Sequence, residues 1–472
     1  MEVIGREKEI EILESALLSQ RSELIVVYGR RRVGKTFLIR ETYKKHLCFE
    51  LVGMYQTSTR DHMKLFQKSL FDYSNQKLKA PTNWLEAFQQ LENYCEMLKG
   101  NKKKVLFIDE FPWLDNNKSN FLKAFDHFWN AYMTKRKDFV VVICGSAAAY
   151  MIKKIVRNKG GLHNRLTDKI RIEPFNLHET EALLKKNRVK LTQYDILQLY
   201  MVMGGIPHYL EKVQPGESAV QAIDRLCFEK DGFLRNEFKD IFASLFGQVE
   251  NHETIIRTLA TIRKGMTRNE LSKKSKLPSG GNLTRTLNEL EESGFIEEYK
   301  PIQGNNNSLF RLKDEYCHFY LKYIEKSKPA QRGVWNKLQN QASFNSWAGY
   351  AFETICHKHI EQIKEGLKIS GIYSTFGSWI QKNKEQGAQI DLLIDRDDNT
   401  INVCEIKFYN GLFTLNKKYA EELMHKVQLF RSETKTKKNT FITFISTYGI
   451  QQNEYSNQLI QNTLSLPHLF HA

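Results

Sequence analysis

"ELIVVYGRRRVGKTFLIRETY", residues 23–43, joins an apolar run to a glycine-containing loop and then to a helix-forming stretch. Its spacing is GxxxxGK[ST], with the strand before and the helix after that the motif requires. Gly29 and Gly34 let backbone amides close around phosphates, where a side chain would obstruct the approach. Lys35 supplies a cation for the β- and γ-phosphates, and the Thr36 hydroxyl is a predicted magnesium ligand. The segment therefore predicts a nucleotide-binding P-loop that takes ATP and Mg²⁺.

The variable positions of this loop are strongly basic. They are Arg30, Arg31, Arg32 and Val33, and we include all of them in the predicted nucleotide site. The arginines would help to hold phosphate or contact a neighbouring subunit. The alternative is a solvated basic loop.

Two further apolar runs end in polar residues. "KKVLFIDEFPWL" (103–114) delivers Asp109 and Glu110, and "FVVVICGS" (139–146) delivers Ser146. An acid after a buried strand can hold magnesium through water, and the next acid can orient and deprotonate the attacking water. Ser146 could sense the γ-phosphate, although Gly-Ser is also a routine turn. Strands alternating with helices predict a parallel three-layer α/β core.

Composition sets the broad class of the chain. It has 472 residues, a net charge of +16 and 41% hydrophobic residues, which together predict about three globular domains with polyanionic partners. The longest nearly unbroken apolar run, residues 139–152, is too short to span a bilayer. The N-terminus carries mixed charge and no apolar signal core. We therefore predict a cytoplasmic protein without membrane contact.

Several N-terminal motifs resemble those of the archaeal-type ATPases, in the AAA+ and STAND-like branch of P-loop proteins. Besides the P-loop, they are "IGREKEIEIL" (4–13), "IDEFPWL" (108–114), "GSAAAYM" (145–151) and "GGIPHYL" (204–210).

This resemblance implies additional site residues. The segment ending in Arg6 would lie against the adenine, and the helix at 204–210 would form part of a lid. The family's Pro-Leu-Tyr-Gly-Arg stretch corresponds to residues 161–165, where only the leucine and Arg165 are kept. Arg165 is thus a candidate arginine finger, acting in cis or from a neighbouring subunit of a homo-oligomer. A plain surface arginine is the alternative.

The middle of the chain is predicted to be helical and then winged-helix. Residues 176–250 show helical periodicity, which suits a lid. Thr267 and Glu270 form a capping box, and a second helix follows with Leu283, Leu287 and Leu290 on one face. A hairpin with a Gly/Asn tip completes the winged-helix order.

In a DNA-binding reading, the N-terminal half of the second helix enters a groove. The residues presented would be Asn282, Thr284, Arg285 and Thr286. The flanking lysines are Lys273, Lys274 and Lys276. Glu289, Glu291 and Glu292 on the later turns would repel phosphate, and an internal connector is the alternative.

"AQIDLLIDRDDNTINVCEIKF", residues 388–408, predicts a β-hairpin that carries acids. A hairpin of this length can bring Asp391 near Glu405, and Glu405 shares a face with Lys407. Two carboxylates and an ammonium group suit magnesium binding and activation of water for phosphodiester cleavage. An upstream helix in 347–360 offers Glu353 as a further acid. Charges on the solvent face of an ordinary hairpin are the alternative.

The order of helix Glu, strand Asp and Glu-x-Lys resembles the PD-(D/E)xK, restriction-endonuclease-like fold. It is similar in particular to a C-terminal domain of unknown function that often follows this ATPase type. The resemblance implies that Asp391 and Glu405 bind metal with the Ile406 carbonyl, that Lys407 steadies the water or transition-state charge, and that Glu353 supports the site. Folds of this type also persist as non-cleaving binding modules.

We therefore predict a mixed α/β chain with four parts. They are a P-loop ATPase core (1–175), a helical lid (176–250), a winged helix (251–325) and a nuclease-like domain (340–472). The predicted function is ATP hydrolysis coupled to DNA, with a magnesium-dependent nuclease, in defence or mobile-element biology. The alternatives are a STAND-type switch and a transcriptional regulator, each with a C-terminal domain that only binds.

Overall fold

The computed structural model describes residues 3–116, 118–146, 148–156, 164–246, 249–262, 264–302, 308–328, 332–381 and 387–472. The chain divides into two compact units. One contains Met1–Pro174 and Ile241–Gly247, and the other contains Phe175–Asp240 and Gln248–Ala472.

The first unit is built on a parallel five-stranded sheet in the order β2-β3-β4-β1-β5. In chain order the elements up to Ile172 are α1 (Glu7–Leu18), β1 (Glu23–Gly29), α2 (Lys35–Tyr43), β2 (Leu47–Val52), α3 (Thr59–Ser74), α4 (Trp84–Met97), β3 (Lys104–Asp109), α5 (Phe111–Leu114), α6 (Phe121–Ala131), β4 (Phe139–Gly145), α7 (Ala148–Tyr150) and β5 (Asp168–Ile172).

Burial explains why the strands of this sheet are continuous apolar runs. Every residue of β3 and β4 is buried, as expected when helices cover both faces of a parallel sheet. Aromatic side chains fill the space between the sheet and its helices; the Trp84 and Phe121 rings, for example, lie 4.7 Å apart and edge to face. The predicted parallel α/β core is confirmed.

The chain from Phe175 onwards is helical before it turns to strands. Its elements are α8 (Leu177–Lys186), α9 (Gln193–Met203), α10 (Pro207–Leu210), α11 (Ala219–Cys227), α12 (Phe233–Leu245), α13 (Val249–Leu259), β6 (Met266–Thr267), α14 (Arg268–Ser275), α15 (Gly281–Glu292), β7 (Ile296–Tyr299), β8 (Leu309–Leu312), α16 (Glu315–Phe319), α17 (Val334–Gln339), α18 (Ala342–Lys358), α19 (Ile360–Gly366), β9 (Ser374–Gln381), β10 (Ala388–Arg396), β11 (Thr400–Lys407), α20 (Lys417–Thr434), β12 (Asn439–Ser446), α21 (Glu454–Leu459), β13 (Asn462–Leu464) and α22 (Leu466–Leu469). None of the described helices combines the length and the apolarity needed to cross a membrane.

The region from α13 to β8 contains three helices, α13, α14 and α15, followed by an antiparallel β7–β8 pair. The capping box of Thr267 and Glu270 is present at the start of α14. The predicted leucines of α15 are buried, which fixes the face that this helix turns inwards. The hairpin is thus confirmed, while the tip residues 303–307 lie outside the described part of the chain. We call the β7–β8 hairpin and residues 300–302 the wing.

The C-terminal sheet has the strand order β13-β12-β11-β10-β9. β9, β10 and β11 are antiparallel neighbours, whereas β12 and β13 run parallel to β11. The pairing of β10 with β9 shifts register between Ile390 and Leu393, next to Asp391. Such irregularities re-aim side chains locally. The predicted C-terminal α/β sheet domain is confirmed.

Candidate functional site

The P-loop connects the C-terminal end of β1 to the first turn of α2. Gly29 has φ +144°, and a Cβ atom there would lie 2.2 Å from the Ile172 carbonyl oxygen. Gly34 has φ +91° and faces open space. Gly29 is therefore required by sterics as well as by conformation, and Gly34 by conformation alone.

Lys35 is folded back over this loop. Its Nζ donates hydrogen bonds to the carbonyl oxygens of Gly29 (3.1 Å) and Arg30 (2.8 Å). Burial lowers the pKa of Lys35, and the nearby carboxylates Asp109 and Glu110 oppose that shift. The ammonium group is thus held inside the loop, where phosphate oxygens would be stronger partners than neutral carbonyls.

The two acids at the end of β3 contact the P-loop threonine and the residue that follows β4. Thr36 Oγ1 donates to Asp109 Oδ2 at 2.7 Å. Ser146 Oγ contacts both carboxylate oxygens of Glu110, at 2.9 and 3.1 Å. Burial, and then the Asp109 charge, raise the pKa of Glu110. The structure therefore brings together the predicted residues of three neighbouring strands.

The other residues predicted for the nucleotide site are the variable residues of the P-loop and Arg6. Arg30 is 6% exposed, so it is not part of a solvated loop, and Val33 is 2% exposed. Arg31 and Arg32 are half-buried. Arg6 precedes α1 with φ +67° and donates to the Glu173 carbonyl oxygen at 2.6 Å.

Arg165 lies on an exposed turn before β5. Residues 161–163, which belong to the stretch that suggested an arginine finger, lie outside the described residues.

A second group of polar residues lies at one end of the C-terminal sheet. Asp391 is on β10, Glu405 and Lys407 are on the neighbouring strand β11, and Glu353 is on α18. All four line one cavity of about 500 Å³. The structure therefore brings Asp391, Glu405 and Lys407 together, as the hairpin spacing predicts, and adds Glu353 from α18.

Glu405 is the most buried member, with 2% of its surface exposed. It accepts hydrogen bonds from Lys426 Nζ at 2.9 and 3.1 Å and from the Tyr419 hydroxyl, and Lys407 Nζ lies 2.9 Å from Oε1. Burial favours the neutral acid, but the two lysines outweigh it and lower the pKa of Glu405. Glu405 is accordingly a stable buried carboxylate.

Asp391 has the opposite electrostatics. Burial, and then the Glu405 charge, raise its pKa to about 6. Its Oδ2 accepts a hydrogen bond from the Ile406 amide at 3.3 Å, and His357 Nε2 donates to its backbone carbonyl at 2.9 Å. Two neighbouring carboxylates with opposed pKa shifts are typical of functional sites, although structural networks produce them too.

The arrangement contains no preformed cluster of metal-binding side chains. Across the described ranges, no group of three or more His, Cys, Asp or Glu residues is placed to hold a metal ion. In this arrangement lysines, rather than further acids, surround Glu405.

The N-terminal part is similar to a known family. Residues 4–213 match the family described as "ATPase domain predominantly from Archaea". This part of the chain is similar to that ATPase family, and we refer to it below as the ATPase domain. Residues 316–423, beyond the ATPase domain, match a second family, described as "Archaea bacterial proteins of unknown function".

Individual relatives extend this comparison. An uncharacterized protein of Methanocaldococcus jannaschii is 26% identical over 90% of this chain and 92% of its own. An uncharacterized ATP-binding protein of the same organism is 47% identical over 8% of this chain and 64% of its own. Among solved structures, a Walker-type ATPase of Pyrococcus abyssi gives a TM-score of 0.47 at 16% identity, covering 68% of this chain and 96% of that one. The Aeropyrum pernix ORC2 protein gives 0.42 at 15% identity, covering 76% and 96%.

Sequence reasoning about the ATPase domain found the residues that the structure gathers, but it missed part of the C-terminal cavity. Lys426 and Tyr419 lie on α20 and both contact Glu405. Their spacing of seven residues puts them on one helix face, two turns apart. That spacing, directly after a Glu-x-Lys strand, is the signal that could have identified them.

One prediction for α15 is wrong. Thr286 does not face outwards, because it is 2% exposed and its hydroxyl donates to the Asn282 carbonyl oxygen at 3.0 Å. It lies three residues after Leu283 and four before Leu290, so it shares their buried face. Asn282, Thr284 and Arg285 are exposed.

Proposed function

We propose that this protein is an ATP-hydrolysing, DNA-directed enzyme whose C-terminal domain cleaves phosphodiester bonds with Mg²⁺. The observation that carries the proposal is the meeting of Asp391, Glu405 and Lys407 in one cavity. Two carboxylates beside an ammonium group are the groups that this chemistry uses. A net charge of +16 favours a polyanionic partner. Defence or mobile-element biology would fit such an activity.

In the ATPase domain, the contacts support the following roles. Lys35 neutralises the β- and γ-phosphates, and Thr36 and Asp109, whose oxygens are 2.7 Å apart, would hold Mg²⁺. Glu110 orients and deprotonates the attacking water, while the Ser146 hydroxyl fixes its carboxylate.

Two arginines complete the nucleotide site. Arg6 is assigned to the adenine side. The exposed Arg165 is assigned as an arginine finger, which a homo-oligomer would supply from a neighbouring subunit.

In the C-terminal cavity, Asp391, Glu405 and the Ile406 carbonyl would hold Mg²⁺, with support from Glu353. The ion would supply charge neutralisation and an acidified water. Asp391 and Glu405 are neighbouring carboxylates, which are the oxygen ligands that Mg²⁺ prefers, and a divalent cation would relieve the repulsion between them. Lys407 would steady the water or the charge that develops on the phosphate oxygens.

A second candidate function rests on the contacts of Glu405. Two lysines and a tyrosine already surround this carboxylate, as in a structural ion-pair network. In that case the C-terminal domain binds without cutting, and the protein is a nucleotide-controlled switch or a transcriptional regulator.

A cleavage assay separates the two functions. Full-length protein with Mg²⁺ or Mn²⁺ is expected to cut DNA, and Lys407→Ala and Asp391→Asn are expected to remove cleavage while ATP hydrolysis continues. Lys438→Ala is the matched control, because Lys438 pairs at 2.6 Å with Asp395, which lies outside the cavity lining. Intact DNA and RNA with both metals would reject cleavage and favour the binding function.

A further inference from the structure

The wing is packed against the C-terminal sheet rather than projecting from it. The Ile302 amide donates to the Ser378 carbonyl oxygen at 3.1 Å, and the Ile302 side chain packs against the apolar core beneath β9, β10 and β11. A Cβ atom at Gly377 would lie 3.2 Å from Ile302 Cγ1. This close approach fixes the position of the wing relative to the candidate catalytic strands.

The wing also lines the cavity that contains Asp391. Its contributions are Tyr299 on β7 and Arg311 on β8, and Lys264 lies beside them ahead of β6. The Arg311 guanidinium is 4.5 Å from the centroid of the Tyr299 ring, and Arg311 also pairs with Glu297. The Tyr299 hydroxyl donates to the Lys264 carbonyl oxygen at 2.7 Å. This wall is therefore polar and aromatic, the Arg311 charge is paired with Glu297, and its own contacts hold it in place.

The size of the cavity limits which substrates can reach Asp391 and Glu405. Its volume of about 500 Å³ is that of a pocket for a small ligand, comparable to one or two nucleotides. Glu405 is only 2% exposed. A paired duplex is stiff over this length, whereas an unpaired strand can turn a single nucleotide into a pocket and lay its bases on aromatic and cationic side chains.

We propose that the wing forms one wall of the candidate nuclease site, and that this site takes unpaired nucleotides of a single strand rather than the interior of a closed duplex. The inference rests on the proposed nuclease function for the cleavage step. It also predicts binding that is measurable without cleavage. Lys264 would contact the phosphates of the incoming strand, and the Tyr299–Arg311 pair would contact its bases or sugar.

Substrate choice tests the proposal directly. The substrates are a labelled single strand, a duplex with a single-stranded overhang, and a dumbbell duplex closed at both ends, each incubated with full-length protein and Mg²⁺. We expect cleavage of the single strand and the overhang at least 10-fold faster than cleavage of the dumbbell. Equal cleavage of the dumbbell would overturn the inference while leaving the nuclease function intact.

If no substrate is cut, the nuclease function alone is rejected. DNA binding measured in EDTA then still tests the role of the wing. Lys264→Ala is expected to weaken binding of the single strand about 3- to 10-fold. Lys337→Ala is the matched control, because Lys337 is an exposed lysine of α17 outside the cavity lining. Equal losses for both variants, or equal affinity of the wild type for single strand and dumbbell, would overturn the role of the wing.

Discussion

Lys426 on α20 donates hydrogen bonds to both carboxylate oxygens of Glu405 on β11, at 2.9 and 3.1 Å. This contact occupies the acid to which a metal-binding role is assigned. A lysine in such a position either neutralises Glu405 until a metal binds or takes the place of a metal altogether.

Replacing Lys426 distinguishes these roles. Lys426→Ala leaves a buried carboxylate with one fewer cation, so we expect a loss of about 1–3 kcal/mol in the free energy of unfolding without metal. If Glu405 binds metal, Mg²⁺ should raise the melting temperature of this variant more than that of the wild type. Thermal unfolding with EDTA and with Mg²⁺ measures the loss of stability and the response to the metal. An identical response to Mg²⁺ would argue against Glu405 as a ligand.

Lys35 is expected to be needed for nucleotide binding and hydrolysis but not for folding. Because burial already disfavours its charge, Lys35→Met should leave the nucleotide-free ATPase domain as stable as the wild type or more so. ATP hydrolysis should fall about 100-fold or more, and stabilisation by ATP should be lost. Turnover and thermal unfolding with and without ATP check this.

Lys103→Met is the control for that experiment. Lys103 is also a buried lysine of the first unit, and its Nζ bonds to the Ala16 carbonyl oxygen at 2.9 Å. Burial lowers the pKa of Lys103 as it does that of Lys35, so Lys103→Met should change the stability of the nucleotide-free protein to a similar extent but leave stabilisation by ATP unchanged. Persistent stabilisation of Lys35→Met by ATP would contradict the assignment.

Glu110 is expected to act on water rather than on nucleotide affinity. Glu110→Gln should lower hydrolysis about 100- to 1000-fold while ATP binding is retained. Ser146→Ala removes one hydrogen bond to that carboxylate and should lower the rate only about 10-fold. Single-turnover hydrolysis and equilibrium ATP binding separate the two effects. Near-normal hydrolysis by Glu110→Gln would exclude it as the base.

The two P-loop glycines should differ in their tolerance of a methyl group. Gly29→Ala should cost about 3 kcal/mol or more, because the new Cβ would meet the Ile172 carbonyl oxygen. Gly34→Ala should cost only about 1–2 kcal/mol, which is the strain of its positive φ. Denaturant unfolding of the pair provides the measurement. Equal losses of stability in the two variants would show that the contact with Ile172 adds nothing to the cost of Gly29→Ala.

His359 should make stability depend on pH. Its Nδ1 donates to the Ile355 carbonyl oxygen at 2.8 Å, its Nε2 accepts from the Leu177 amide at 3.0 Å, and burial lowers its pKa to about 4. Since histidine in the unfolded chain titrates near 6.5, the unfolded state takes up the proton first as pH falls. The contribution of neutral His359 to the free energy of unfolding is therefore complete above about pH 6.5, and it declines by about 3 kcal/mol towards pH 4.

The matched variant for this prediction is His359→Gln, whose amide does not titrate. Denaturant unfolding between pH 4 and 7 should show a smaller loss of stability for the variant than for the wild type. An unchanged pH dependence would show that His359 is not the group responsible.

Local sequence patterns determined much of this protein. The P-loop spacing, the acids after β3, the capping box of α14 and the β10–β11 hairpin each depend on residues close together in the chain. Their geometry follows from strand and helix periodicity and from turn chemistry, which a single sequence displays directly. The convergence of Asp391 and Glu405 was predictable for the same reason, since a hairpin fixes its own register.

Tertiary structure alone decided the surroundings of those residues. The contacts of Lys426 and Tyr419 with Glu405, the burial of Thr286 and the placing of the wing beside Asp391 depend on how separate elements pack. Packing is set by the complementary shapes of faces distant in sequence, and no local period encodes it. Composition and spacing therefore identified the acids, but only the folded chain shows that lysines surround one of them and that the wing lines their cavity.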